Sequence, residues 1–361
     1  MRRVGFDTTY GLLSETGIGR YVRSLGLALD ALDGVQLVPL AATRHPAHRR
    51  LPRAAQGLIR EGLWYPALIE RAALDQSCSL LHMPQPVMVR ARRLPLVITV
   101  HDLLPLDHPE LFTVFPRAQA RASLRSLRRA SRILTNSEYT RSTVIERLGL
   151  APEAVVATPL GVAASFHPLE PDPELLRERF GIGGPFILSV GTLEPRKNLA
   201  TALRAFERIA SREPDCELVV AGPKGWRNQD FERILERSPS PVHLTGFLTD
   251  DDLALLYSAT ACFLYPSLAE GFGLPVAEAL ACGAPVVTSN GTSLPEVAGD
   301  AALLVDPEDE EAIGEAALRI LGDPDLAADL RRRGLERARA FSWERCAEAT
   351  ARVYEEVAGG A

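Results

Sequence analysis

Twelve short apolar runs, separated along the whole chain by segments of helical periodicity, limit the possible folds more than any other feature. In the first half they are Arg3–Thr8, Gln36–Ala41, Leu80–Met83, Leu96–Val100, Ile133–Asn136 and Val155–Pro159. In the second half they are Pro185–Val190, Glu217–Ala221, Val242–Gly246, Ala261–Tyr265, Pro285–Ser289 and Ala302–Val305. Continuous Val, Ile and Leu without polar alternation indicate strands covered on both faces, and the intervening helices indicate parallel βαβ units. The expected fold class is α/β, two doubly wound parallel sheets in tandem, with ligands at the carboxyl ends of the strands. A chain of 361 residues exceeds one ordinary core and divides into two of about 150–200 residues. The seam falls at Ala163–Asp172, where Phe166-His-Pro-Leu-Glu-Pro-Asp-Pro173 resists regular structure. This predicts a first domain over residues 1–168 and a second over 169–340. Residues 341–361 are expected to return to the first domain as a helix, with Phe341–Val357 amphipathic and Ser342 as N-cap. Arg345 stands where a capping box needs Glu or Gln, so that cap rests on the Ser342 hydroxyl alone.

Hydrophobic content of 46% and charged content of 24% are those of a soluble globular protein. No run of about 18 apolar residues occurs, and the opening residues lack the apolar core of a signal peptide. Five scattered cysteines, Cys78, Cys216, Cys262, Cys282 and Cys346, point to a reducing cytoplasm and away from a zinc site. The net charge of −6 is unevenly distributed. Residues 1–170 carry 21 arginines against 14 acids, and the remainder carries 19 basic against 32 acidic residues. Either the first half meets something anionic or the surface is unevenly decorated. Nucleic acid is disfavoured by an aromatic content of 6% and the lack of a binding module.

The stretch Glu270-Gly-Phe-Gly-Leu-Pro-Val-Ala-Glu278 follows the run ending at Pro266 and opens into a helix, with Pro275 suited to its first position. A strand, a glycine turn and a helix start together form an anion site. Two acids there make sense if they hydrogen-bond hydroxyls of a phosphate-bearing ligand, such as a nucleotide sugar. A second strand-to-helix junction carries Gly191-Thr-Leu-Glu-Pro-Arg196-Lys197-Asn198, and Lys197 is one of only two lysines in the chain. Arg196 and Lys197 either neutralise a diphosphate or decorate a solvated loop. Near the start, Thr16-Gly17-Ile18-Gly19-Arg20-Tyr21 leads into a helix over Val22–Leu32, and its glycines either admit a ligand or form a plain turn. His101 ends the Leu96–Val100 strand, as a cleft residue or a satisfied polar group, while Asp102 orients it or caps the next turn. On the helix after Pro116, Arg117, Arg121, Arg125 and Arg128 recur at helical spacing beside Arg129. That stripe faces an anionic lipid surface, a lipid diphosphate, or water.

Taken together, these segments resemble the retaining glycosyltransferases of family 4. The resemblance rests on Gly17-Ile-Gly-Arg-Tyr21, Val100-His-Asp-Leu103, Asn136-Ser-Glu-Tyr139, Pro159-Leu-Gly-Val162, Val190–Asn198, Ala221-Gly-Pro223, Gly246-Phe247 and, most specifically, Pro266–Glu278 with Gly283-Ala-Pro-Val286. It implies a GT-B fold, two Rossmann-like domains facing a central cleft. It implies that Glu270 holds donor-sugar hydroxyls, that the amides of Phe272, Gly273 and Leu274 meet sugar and phosphate, and that Glu278 holds the ribose. Arg196 and Lys197 match the basic pair on the diphosphate. Gly17 and Gly19 match a closing loop, His101 a cleft histidine near the reacting centre, and Gly191, Gly222 and Phe247 donor-side loops. Thr192 departs from the pattern, since many relatives carry Arg there. Similarity to mannosyltransferases of bacterial surface polysaccharides points the donor towards GDP-mannose. The implied acceptor is a saccharide or polyprenyl-linked sugar, contacted around His45–Trp64, with peripheral contact to an anionic membrane. No cofactor and no obligatory metal are expected. The alternatives are a nucleotide-sugar epimerase or disaccharide phosphorylase of the same fold, or a non-catalytic nucleotide-sugar-binding protein.

Overall fold

Leu96-Val-Ile-Thr-Val100 and Phe186-Ile-Leu-Ser-Val190 are buried at every position, the state their unbroken apolar character requires. They are central strands of two separate sheets in a computed structural model that describes residues 2–14, 17–42, 53–226, 229–238 and 240–359. The chain forms two compact units, Met1–Gly161 with Ser342–Ala361, and Val162–Phe341.

The first unit contains β1 (Arg2–Asp7), β2 (Val35–Leu40), β3 (Leu80–Met83), β4 (Leu96–Val100), β5 (Arg132–Thr135) and β6 (Val155–Ala157). They are ordered β2-β1-β3-β4-β5-β6, all parallel. Pro39 is confined to edge strand β2, where its missing N–H breaks no ladder. The second unit contains β7 (Phe186–Val190), β8 (Glu217–Ala221), β9 (Val242–Gly246), β10 (Cys262–Tyr265), β11 (Val286–Ser289) and β12 (Ala302–Val305), in the order β12-β11-β10-β7-β8-β9. Each strand falls within two residues of the apolar run that marked it. Chain direction across the sheet reverses between β1 and β3 in the first unit and between β7 and β10 in the second. These are the points where a doubly wound sheet opens a crevice for ligands.

Helices cover the sheets through one apolar stripe each. On Leu199–Arg212, Leu199, Ala202, Leu203, Phe206 and Ile209 are buried at intervals of three or four. The last helix, Trp343–Gly359, belongs to the first unit and buries Cys346, Ala347, Thr350, Val353, Tyr354 and Val357. Arg345 N donates to Ser342 Oγ at 3.2 Å, the cap that the missing acidic partner left to the hydroxyl. Among the described residues no helix is long and apolar enough to cross a membrane.

Three local expectations are corrected. Gly17 and Gly19 lie in the first turn of a helix spanning Gly17–Asp30, not in a loop before a helix beginning at Val22. A Cβ on Gly19 would stand 1.8 Å from Ser14 O, so its backbone approaches the preceding turn of this chain itself. Pro275 is the second residue of the Leu274–Ala281 helix rather than the first, tolerated because the opening N–H groups have no intrahelical partner. The arginine-bearing helix, Val114–Leu127, starts before Pro116 and ends before Arg128. Thr16 and residues 43–52, including most of the first part of the expected acceptor segment His45–Trp64, lie outside the described residues.

Candidate functional site

At the β7–β10 reversal the two following loops are tied together. Leaving β7 through Gly191, the chain makes a tight helical turn over Pro195–Lys197. Asn198, in the left-handed region at φ 56°, starts the next helix. Its amide donates to Pro266 O at 3.0 Å and Pro307 O at 2.6 Å. Leu268 N and Ser267 Oγ both donate to Arg196 O, at 2.9 and 3.0 Å. Residues 68 to 109 positions apart are therefore locked side by side.

Glu270 is the centre of the result. Its Oε1 accepts from Lys197 Nζ at 2.7 Å, Tyr265 OH at 2.7 Å and Ser267 Oγ at 2.6 Å, and its Oε2 accepts from Arg196 Nη1. Arg196 also donates from Nε and Nη2 to Glu194 Oε1, at 3.1 and 2.8 Å, and from Nη1 to Ala269 O at 3.1 Å. Lys197 Nζ further donates to Tyr265 OH at 2.5 Å. At 7% exposure Glu270 is nearly dry. Burial alone raises its carboxyl pKa, but the Arg196 and Lys197 charges and the hydrogen bonds from Lys197 and Ser267 outweigh it and hold the group at about 2. Burial lowers the Lys197 pKa, helped by adjacent Arg196 and opposed by Glu270. Two fixed cations and a buried carboxylate thus share one corner, suited to a ligand with both phosphate and hydroxyl groups.

The turn carrying Glu270 is braced from behind. Glu270 N donates to Thr292 Oγ1 at 3.1 Å, and Ser293 Oγ bonds Glu270 O and Phe272 O, both at 2.9 Å. Gly273, at φ 102°, precedes Leu274 and the helix on which Glu278 is buried one turn in. On the other side, the ends of β7, β8 and β9 form a staircase. Gly191 N donates to Ala221 O at 2.9 Å and Gly222 N to Gly246 O at 2.8 Å. A Cβ on Gly222 would stand 2.1 Å from Gly191 O, so only glycine fits. Phe247, 62% exposed, follows as an open aromatic face.

In the first unit, half-buried His101 directly follows β4. Its Nε2 lies 2.8 Å from Pro84 O, and because a carbonyl only accepts, the ring proton sits on Nε2 and Nδ1 keeps its lone pair. Burial pushes the imidazole down to about 4, against the Pro84 hydrogen bond, so it is neutral near pH 7. Tyr21 meets the ring edge-on at 4.7 Å. Behind it runs a buried chain: Tyr21 OH to Thr99 Oγ1 at 2.9 Å, Thr99 Oγ1 to His82 Nε2 at 2.9 Å, and His82 Nδ1 to Tyr354 OH at 2.6 Å. Asp102 Oδ1 accepts from Leu104 N at 3.1 Å, capping the turn that follows. At the β1–β3 reversal, Asp7 is fully buried and accepts from Thr9 N at 3.1 Å, Thr9 Oγ1 at 2.5 Å and Tyr65 OH at 3.1 Å. Burial exceeds the effect of those bonds and raises Asp7 to about 6.

Residues 16–166 match the model of Glycosyltransferase Family 4, and residues 174–337 match that of Glycosyl transferases group 1. The chain is 36% identical over 272 residues to O-antigen chain mannosyltransferase B of Escherichia coli, covering 72% of this chain and 70% of that protein. The chain belongs to the family 4 glycosyltransferases. A second glycosyltransferase of Escherichia coli, serotype-specific mannosyltransferase WbdA, is 34% identical over 258 residues, which is 68% of this chain but 32% of that longer protein. Among solved structures, sucrose-phosphate synthase from Thermosynechococcus elongatus superposes with a TM-score of 0.78 at 21% identity, over 100% of both chains. That likeness supports the GT-B class for these two parallel sheets.

Of the residues singled out in this glycosyltransferase, Arg196, Lys197 and Glu270 are brought into direct contact. Gly191, Gly222 and Phe247 end adjacent strands of the same sheet, and Phe272, Gly273, Leu274 and Glu278 continue from Glu270 into one helix. Gly17, Gly19 and His101 belong to the first unit. Sequence reading missed Glu194, Tyr265, Ser267, Thr292, Ser293 and Asp7. A signal existed for Ser293, which precedes Leu294-Pro295 as an N-terminal cap residue would. Asp7, a carboxylate ending an apolar strand, was also visible as an anomaly.

Proposed function

We propose that this glycosyltransferase moves a mannosyl group from GDP-mannose to a saccharide or polyprenyl-linked acceptor during synthesis of a bacterial surface polysaccharide, with the anomeric configuration retained. The mannosyltransferase names of its Escherichia coli relatives support the sugar. The contact of Arg196 and Lys197 with Glu270 at the sheet reversal is the observation that carries the chemistry.

An incoming diphosphate competes with Glu270 for the two cations and frees the carboxylate to accept sugar hydroxyls. As the C1–O bond to phosphate breaks, charge builds on the departing diphosphate. Arg196, Lys197 and the amides of Phe272, Gly273 and Leu274 stabilise it without having to reorganise. The acceptor hydroxyl attacks C1 from the leaving-group side and passes its proton to the departing phosphate. Glu278 takes the ribose hydroxyls, and Gly222 and Phe247 border the base. His101, neutral and with a free lone pair on Nδ1, accepts a hydroxyl of the sugar. With this positive charge built into the protein, turnover requires no metal. Gly17, with nothing within 4 Å of where a side chain would stand, takes the donor-side role of a close backbone approach, and Gly19 lets that helical turn pack on Ser14. Five buried cysteines without disulfide partners fit action in the cytoplasm.

The test is titration with GDP and UDP, followed by incubation with labelled GDP-mannose and lipid extracts, with and without chelator. Tighter binding of GDP and label transfer undiminished by chelator support the proposal. Preference for UDP would remove GDP-mannose as donor, and loss of transfer restored by magnesium would remove the metal-free mechanism.

A further inference from the structure

Strands β3 and β4 are apolar except at one position each, His82 and Thr99. Those two side chains are the middle links of the buried chain that starts at Tyr354 on the last helix and ends at Tyr21 on the Gly17–Asp30 helix. All four members belong to the first unit and none is more than 1% exposed.

Stability alone does not call for such a chain. Phe, Val and Leu would fill much the same space, and replacing both partners of a buried polar contact by apolar groups of that shape is close to neutral. What a connected polar chain adds is a fixed orientation for the rings within it. Burial and, second to it, the nearby His101 keep His82 neutral. A neutral imidazole offers one donor and one acceptor, so His82 fits between the Tyr354 and Thr99 hydroxyls and links them in a single direction.

The near end of the chain lies against His101. The Tyr21 and His101 rings meet with centroids 4.7 Å apart and planes at 83°. Trp343, which opens the last helix, also packs on Tyr21, at 6.1 Å. The other restraint on His101 is its Nε2 contact with Pro84 O, two residues beyond His82 on the same stretch of backbone. One hydrogen bond leaves an imidazole room to swing, and a phenol ring locked beside it removes that room.

We propose that Tyr21, Thr99, His82 and Tyr354 are positioning residues for His101, through which the last helix sets the angle at which the Nδ1 lone pair is presented to the sugar. This rests on the reading of His101 as acceptor of a sugar hydroxyl. The four side chains are buried, so they act through His101 and not on the sugar.

The test combines kinetics with nitrogen NMR of isotopically labelled histidines, the His101 signals being identified by their loss in His101→Gln. Thr99→Val removes the central hydroxyl at nearly constant shape. It should lower kcat for transfer from GDP-mannose by about 10-fold with little change in KM, as expected of a slightly misplaced group at a reacting centre. Thr99→Ser restores the oxygen and should restore kcat. Tyr354→Phe, at the far end, should lower kcat in the same direction. In Thr99→Val and Tyr354→Phe the His101 signals should leave the Nε2–H pattern for an average of two tautomers. Thr350→Val, a buried change one turn earlier on the last helix and outside the chain, should match wild type in both readouts. A thermal melt establishes that each variant is folded under assay conditions. Unmoved His101 signals in Thr99→Val and Tyr354→Phe, with or without a fall in kcat, overturn the proposal. So does an unchanged kcat in both, or an equal loss in Thr350→Val. Full transfer by His101→Gln is a separate failure, since it removes the role of His101 with the chain intact. The nitrogen signals need no substrate, so they read the coupling of Thr99 to His101 even where the donor proves to be another sugar nucleotide.

Discussion

Glu270 draws its hydrogen bonds from three chain segments, and its ionised state follows from the two cations bonded to it. Under the proposed mechanism those cations are the main source of leaving-group stabilisation. Arg196→Ala or Lys197→Ala should each lower kcat by about 10²-fold or more, measured at saturating donor. A rise in KM at unchanged kcat would assign them to ground-state binding instead. With Thr192 neutral, Arg196 and Lys197 are the cations of the Gly191–Asn198 loop. The positions of Arg196, Lys197 and Glu270 were legible because each lies in a short loop between an apolar run and a helix. Their mutual contact was not legible, because it depends on Asn198 reaching Pro266 and Pro307, and no local pattern encodes that reach. Glu194 and Tyr265 were invisible for the same reason, their roles existing only once the loops meet.

Among the elements, strands were read with little error because a strand buried on both faces leaves no other pattern. Helix starts were read less well. Gly17 and Gly19 looked like a loop, since glycine favours turns, yet both lie in a helical turn, where Gly19 packs closely against Ser14. The staircase at the ends of β7, β8 and β9 is rigid for a steric reason, and Gly222→Ala would drive a methyl group into Gly191 O. Strain of about 1–3 kcal/mol is expected, seen as a lowered melting temperature together with weaker nucleotide binding by calorimetry. An unchanged melting temperature would show that the turn yields freely. The Trp343–Gly359 helix is held by a buried side chain far away in sequence, since Tyr354 bonds His82 across 272 positions. Tyr354→Phe leaves the His82 ring nitrogen without its partner and should cost about 1–3 kcal/mol in denaturant unfolding. A neutral result would mean that water replaces the hydroxyl.

For the molecule as a whole, acid stability depends on buried groups of opposite sign in the first unit. His82 is pushed down to about 3 and His101 to about 4, both chiefly by burial. Between about pH 5 and 6 the unfolded chain binds two protons that the fold refuses, so these groups make stability rise with pH. Asp7, raised to about 6, does the reverse, since the fold keeps a proton there that the unfolded chain has lost. The three together leave a net of about one proton, or about 1.4 kcal/mol per pH unit. Asp7→Asn should steepen the slope to about two protons and stabilise the protein most at pH 8, as read by denaturant melts across this window. An unaltered slope would show Asp7 ionised throughout. The division into two doubly wound sheets was legible from the spacing of apolar runs, while the two units part at Gly161 and Val162, ahead of the proline-rich stretch. The buried chain from Tyr354 through His82 and Thr99 to Tyr21 was not, because its members are ordinary core residues until the sheet assembles.

Retention of configuration in mannosyl transfer by this family 4 glycosyltransferase, with Arg196 and Lys197 holding the departing diphosphate, is the step of the proposed function most open to measurement. Its most direct test is the anomeric configuration of the product formed from GDP-mannose, determined by NMR coupling constants. The product is expected to carry the configuration of the donor, with one GDP released per linkage. An inverted linkage, or release of GDP with no glycoside formed, would contradict it.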